Sequence, residues 1–405
     1  MSGRRLVLLL AVWTGIIGGT GCLLEVGAKV ILDRREAARV NRFQETPEKD
    51  FPGISSEQKA FYRARYLPYR VWGYAPHVGR HINIDSEGRR RTPQTVQPGA
   101  RRIFLFGGST MLGQGASDAW TIPARLAERL GANRGLEPVE CVNFGIGGYV
   151  NSQELIDLIY QLERGAAPDI VIFYDGINET VAVAQGSPGD HHNLKRIAGI
   201  YEDAQKIGYS LGFGDLIRHL AVRVRERFQE THLVRLIGTG NRSGTSGPSG
   251  RPFGQDPQQL ESMEAAAASI YLQNFRIASA LGERYGFKTL FLWQPTLFDK
   301  PALSSQERAV LEQGLSGGVP NPAYRPLWEG IRDRIRNRIA EAADARRNGT
   351  ARWADLSETF EATADTRFPI DWQHTNAVGN QAVAEAIARL LEESGWLDGR
   401  DAGAR

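Results

Sequence analysis

From Arg102 onward, short continuous apolar runs alternate with longer stretches whose apolar residues recur every three or four positions. The runs at 103–107, 139–143, 170–174, 289–293 and 352–355 are too short for helices and rich in β-branched and aromatic residues, so they predict strands. Between them, Ile122, Leu126 and Leu130 recur every four residues ahead of Gly131, with Pro123 in the first turn, which predicts a helix. Leu155, Leu158, Ile159 and Leu162 share a second helical face behind Asn151 and Glu154, a pair that reads as an N-terminal cap. Longer helices are predicted at about 262–285 and 324–347, and a last one carries Val383, Ile387, Leu390 and Leu391. Strands apolar on both faces, alternating with helices, predict a parallel sheet of about five strands covered by helices on both sides.

The chain before this alternation has a different pattern. After Arg4 and Arg5, residues 6–24 carry no charge, and 19 residues are enough to cross a bilayer at about 1.5 Å per residue. The apolar stretch is longer than that of a cleaved signal peptide, and Gly19 stands where a lipoprotein site needs a larger aliphatic residue, so residues 1–32 are expected to form an uncleaved signal anchor, a transmembrane helix. Lys29, Arg34, Arg35 and Arg39 behind the span oppose Arg4 and Arg5 in the count of inward-facing positive charge. Residues 33–98 form a polar lead-in, with "YLPYRVWGYAPHVG" and "HINIDSEGRRR", expected to pack on the following domain in extended or turn-rich form. That domain, 99–398, is interrupted at about 186–261 by basic helical pieces ("DLIRHLAVRVRERF") and a Gly/Ser/Pro-rich loop ("GTGNRSGTSGPSG"). The arginines there read as a solvated helix face, with acidic glycans or phospholipid headgroups as the alternative contact.

Charge and cysteine content remove some function classes. A net charge of +3 over 405 residues, with no basic run interleaved with aromatics, gives no case for nucleic-acid binding. Cys22 and Cys141 are far apart and lack short-spaced metal-ligand partners, so neither a disulfide nor a thiolate metal site is expected. "DHH" at 190–192 lacks a third ligand, and no metal or cofactor is expected.

Three glycine-bearing stretches follow successive predicted strands: "GGSTMLGQG" from Gly107, "NFGIGGY" from Asn143 and "YDGINE" from Tyr174. A P-loop needs lysine after its last glycine, where Gln114 stands, and a dinucleotide fingerprint needs glycine where Val150 stands. Each stretch alone is a tight strand-to-helix turn. Together, at the carboxyl ends of parallel strands, they converge on the ligand crevice of an open α/β sheet. A fourth stretch, "FPIDWQH", sets Asp371 three residues ahead of His374, a spacing that lets the carboxylate meet imidazole Nδ1 and leaves Nε2 as a base. The histidines at 77, 81, 191, 192, 219 and 232 have no such setting.

"FGGSTMLG", "NFGIGGY", "YDGINE" and "DWQH" resemble blocks I, II, III and V of the SGNH (GDSL-like) hydrolases, especially the bacterial membrane-anchored members with "GGST" in place of "GDS". The resemblance spans about residues 100–185 and 265–395, with the blocks in order. It implies a flavodoxin-like SGNH hydrolase fold and a serine esterase acting on short acyl esters. Matched position by position, Ser109 is the nucleophile, His374 the base and Asp371 its orienting acid. The oxyanion hole is implied at the Ser109 and Gly148 N–H groups and the Asn178 amide. Glu179 departs from the aspartate that usually follows the block III asparagine. The expected partner is an acyl ester, with O-acylated envelope polysaccharide as one candidate and lipid as another, and the expected catalytic domain lies outside the cytoplasm. Acyl transfer and lysophospholipase-like hydrolysis use the same site and remain alternatives. A non-catalytic polysaccharide-binding protein is the alternative of another class.

Overall fold

The computed structural model describes residues 24–32, 34, 51–61, 64–132, 137–191, 256–313, 324–343 and 349–398. By contact density the chain divides into two compact units, one of Met1–Asn41, Lys195–Gly244 and Ser316–Gly318, the other of the remaining residues. In the first unit, residues 24–32 and 34 are described and are helical. The second unit holds everything below.

Its centre is a five-stranded parallel sheet in which β5 (Arg101–Gly107), β6 (Val139–Asn143), β7 (Ile170–Asp175), β8 (Lys288–Trp293) and β9 (Ala351–Asp355) lie in the order β6-β5-β7-β8-β9. That order is the doubly wound arrangement in which the chain reverses direction between β5 and β7, opening a crevice at the carboxyl ends of those strands. β7 is buried at every residue, as a strand covered on both faces must be. The register sets Phe106 beside Phe173 and Phe173 beside Phe291, and their rings stack with centroids 5.3 Å and 4.5 Å apart. Phe144 extends the row by stacking on Phe106 at 4.7 Å.

Helices α3 (Ile122–Gly131) and α9 (Ala377–Glu393) pack on one another, and α4 (Asn151–Glu163), α5 (Ile177–Ala184), α6 (Pro257–Tyr285) and α8 (Arg325–Ala343) form a second group. Two short helices, α2 (Ser109–Leu112) and α7 (Ser305–Gln313), complete the set used here. α6 begins about one turn earlier than its apolar period predicts. Asp256 accepts from the Gln258 N–H at 3.0 Å and Pro257 occupies the first turn, so the polar start is stabilised by capping. At α4 the predicted cap pair does not act as a cap. The Gln153 side chain meets the Val150 N–H instead, while Asn151 and Glu154 turn inward.

The lead-in contributes α1 (Phe51–Phe61), a hairpin of β1 (Ala64–Leu67) and β2 (Val71–Tyr74), and a second of β3 (His77–Val78) and β4 (Asn83–Ile84). Ile54, Tyr74, Ile82 and Ile84 join Leu112, Ile146 and Tyr149 of the sheet region in one buried apolar cluster. Arg90, itself buried, donates to the carbonyls of Leu112, Gly113 and Ala116 at 2.6–3.0 Å and pairs with Asp118. Gln94 pairs with the edge strand β6 through its side chain: its Nε2 donates to the Cys141 carbonyl at 2.7 Å, and its Oε1 accepts the Cys141 N–H at 2.9 Å. Cys141 is a buried free thiol whose pKa is driven up by burial.

Among the described residues no helix is long and apolar enough to cross a membrane. Apart from Leu24, the uncharged stretch at 6–24 lies outside the described residues, as does the 192–255 part of the interruption at 186–261.

Candidate active site

β5 ends at Gly107, and the chain turns at Gly108 into α2 with Ser109 as its first residue. Ser109 is half-buried, and its Oγ lies 2.8 Å from His374 Nε2. His374 Nδ1 lies 2.8 Å from Asp371 Oδ2. Asp371 also accepts the N–H groups of Gln373 (3.0 Å) and His374 (2.8 Å) on Oδ1, which closes a tight turn and aims the imidazole back at its own carboxylate. Burial pushes the Asp371 pKa upward. His374 and these hydrogen bonds outweigh that cost and hold it below the usual carboxylate range. An ionised Asp371 accepts a hydrogen bond from Nδ1–H and so fixes that tautomer, which leaves Nε2 free to accept the Ser109 hydroxyl proton.

The turn that carries Asp371 and His374 is held from several sides. Trp372, fully buried, stacks on Phe298 at 4.9 Å, and its carbonyl accepts the Leu297 N–H. Asn376 caps α9 through the Gly379 N–H at 2.8 Å, and its amide donates to the Thr366 carbonyl. Beneath, a buried Lys300–Glu307 pair at 2.6 Å ties α7 to the same loop, because Glu307 accepts the N–H groups of Arg367 and Phe368 and Lys300 donates to the Asp365 carbonyl. A buried pair in which both carboxylate oxygens and two of the ammonium N–H groups are hydrogen-bonded contributes rigidity here, whatever its net effect on stability.

Asn178 is the second residue of α5, just past the turn that follows β7, and Gly148 sits on the turn after β6. Asn178 Nδ2 donates to the Tyr149 carbonyl at 2.6 Å, which uses one of its two N–H groups and orients the other. It also lies 2.1 Å from where a Cβ on Gly108 would stand, so only glycine at 108 lets the amide come so close to the peptide that leads into Ser109. Among the described residues neither the Ser109 nor the Gly148 N–H donates a hydrogen bond.

Next to Asn178 in the chain, Glu179 belongs to a group of acidic side chains whose meeting the sequence-based expectation did not contain. Glu154, Asp175 and Glu179 are all buried. Glu179 accepts the N–H groups of Asn151 and Gly176, both at 2.7 Å, and Asp175 accepts the Asn151 amide at 2.7 Å. Desolvation raises the pKa of all three. With both carboxylates ionised Glu154 has no hydrogen-bond partner, so a protonated Glu154 that donates to Asp175 satisfies the pair. Glu179, the departure noted in the sequence, thereby ties the start of α4 to the turn after β7 that leads into α5 and Asn178. Its position beside Asn178 was visible in the sequence, but its partners were not.

His191 contacts the neighbouring Asp190, and His192 lies outside the described residues. Among the described residues no group of three or more His, Cys, Asp or Glu side chains is placed to hold a metal ion.

The backbone is similar to several solved hydrolases. One is a G-D-S-L family lipolytic protein from Desulfitobacterium hafniense, at 8% identity and TM-score 0.36, covering 72% of this chain and 99% of that one. Another is an acetyl xylan esterase from Geobacillus stearothermophilus, at 16% and 0.34, covering 74% and 97%. A third is a lipase/acylhydrolase from Enterococcus faecalis, at 16% and 0.34, covering 75% and 100%. No protein-family model and no curated protein matches the sequence. At these scores the likeness is a loose one of backbone course, and the functional assignment below rests on the side chains of this chain.

Proposed function

We propose that this protein is a serine ester hydrolase with Ser109 as nucleophile, His374 as base and Asp371 as the acid that orients it. The observation that carries the reading is the unbroken run of hydrogen bonds from Asp371 through His374 to Ser109, both links 2.8 Å. Ser109 Oγ attacks the ester carbonyl carbon as its proton passes to His374 Nε2. The oxygen of the tetrahedral intermediate is met by the N–H groups of Ser109 and Gly148 and the Asn178 amide. Collapse breaks the bond to the alcohol, which leaves with the proton from His374. Water, deprotonated by the same histidine, then releases the acid from the acyl-enzyme and restores the serine.

Short acyl esters, with O-acetyl groups of envelope or exported polysaccharide among them, are the proposed substrates, on the strength of the sequence resemblance and of the uncharged stretch at 6–24. That stretch is proposed as a single-pass anchor with the hydrolase domain outside the cytoplasm. Full-length protein that partitions into the aqueous phase without detergent would remove the anchor. The enzyme reading is tested by turnover on a series of esters from acetyl to long-chain acyl, with Ser109→Ala as the comparison. Wild type turns over and labels with a serine-directed phosphonate, and Ser109→Ala loses about 10⁵-fold or more in kcat together with the label. Equal turnover by both proteins sinks the assignment.

A further inference from the structure

We propose that Trp72, in the lead-in hairpin, is a positioning residue that holds the oxyanion hole in its open orientation; this rests on the serine-hydrolase reading above. The Tyr149 N–H donates to the Ile146 carbonyl at 3.1 Å, which closes a β-turn with Gly147 and Gly148 at its centre. Gly148 has φ of 79°, which makes the turn type II. Types I and II differ chiefly by a half-rotation of the central peptide, and with glycine at both central positions no side chain selects one over the other. In a trans peptide the C=O and N–H point in opposite directions. Whatever fixes the Gly147 carbonyl therefore fixes the Gly148 N–H.

The Trp72 indole fixes it. Its Nε1–H donates to the Gly147 carbonyl at 2.9 Å. In the flipped turn that carbonyl would leave the indole, and the Gly148 N–H would swing away from the Ser109 side of the loop. The flanking contacts hold the donor in place: the Gly147 N–H donates to the Tyr74 hydroxyl at 3.0 Å, the Tyr149 hydroxyl donates to the Trp72 carbonyl, and the two rings meet edge to face at 5.4 Å. Pre-aimed donors stabilise an oxyanion because they need no rearrangement when the charge develops. The hairpin thus supplies a restraint that the two-glycine turn cannot supply itself.

The test compares full-length wild type, Trp72→Phe and Arg70→Met on one ester, with Ser109→Ala as the reference for the reaction itself. Arg70 docks the same hairpin through Asp157 (2.5 Å), and its guanidinium makes no hydrogen bond to the turn residues 146–149. Trp72→Phe is expected to lower kcat about tenfold to thirtyfold, a part of the loss seen on deleting an oxyanion donor, with KM within about twofold. Arg70→Met is expected to lower Tm and leave kcat within about twofold of wild type. If Trp72→Phe does not fold, benzothienylalanine at position 72 removes only the indole N–H and carries the same expectation. Wild-type kcat in either folded position-72 variant overturns the proposal, as does an equal loss of kcat in Arg70→Met, which would reduce the hairpin to a mere support. Ser109→Ala turning over like wild type would instead remove the hydrolase reading itself.

Discussion

Asp371 and the cluster of Glu154, Asp175 and Glu179 are buried to a similar degree, yet they hold their protons in opposite ways. Asp371 faces an imidazole and two backbone N–H groups, and these offset the loss of water. In the cluster three acids share a few neutral donors and have one another as neighbours, so desolvation and mutual repulsion favour the protonated forms. Burial alone therefore does not decide a carboxyl's charge; the count of donors aimed at it does. The two regions also answer pH with opposite sign. A depressed acid stabilises the fold above its unfolded value, near 3.9, and loses that contribution only as pH falls through its lower native value. Raised acids bind protons more tightly in the native state, so their contribution is whole below the unfolded values and declines as pH climbs towards the native ones.

The largest effect that would sharpen this contrast is Asp371→Asn. The amide keeps the shape but favours the wrong imidazole tautomer, and kcat should fall about 10³–10⁴-fold with little change in Tm. A loss below tenfold on the same ester would mean that the charge of Asp371 is not what prepares His374. Glu179→Gln comes next. The amide can accept only one of the N–H groups of Asn151 and Gly176, and the unmatched donor should cost about 1–3 kcal/mol in denaturant unfolding, with a smaller drop in kcat through Asn178. Unchanged stability would show that the turns after β6 and β7 do not depend on Glu179. Glu154→Gln is the smallest and most diagnostic. As an isostere of the protonated acid it should be nearly neutral at pH 5, and at pH 8 it should exceed wild type in denaturant unfolding, because folding then has to protonate Glu154 and the amide carries no such cost. A mutant less stable than wild type at both pH values would mean that Glu154 is needed as a charge.

Most of the sheet was legible in the sequence because each strand is a short apolar run, and all five observed strands begin and end within two residues of the predicted runs. Ser109, Asp371 and His374 were legible as a set through four ordered motifs. What escaped depends on contacts between distant positions. Glu154 follows the polar start of α4 and reads as a capping residue, and only the fold reveals that it turns inward to Asp175. Lys300 and Glu307 look like ordinary solvated charges seven residues apart, but the loop ahead of Asp371 closes over them. Trp72, Tyr74 and Arg90 lie in a stretch with no period at all. Their partners are backbone groups of the turns after β5 and β6, and backbone groups leave no mark on a side-chain pattern.

Gln94 has a consequence for how this protein meets its neighbours in a crowded solution. An exposed strand offers alternating donors and acceptors to any chain that can extend beside it, and that row is the usual starting point of aggregation. At β6 the primary amide of Gln94 makes the two hydrogen bonds with Cys141 that a neighbouring strand would make. An incoming chain would first have to expel it. A side chain, unlike a strand, presents no fresh row on its far side, so at this position the sheet terminates where another strand would have handed it on.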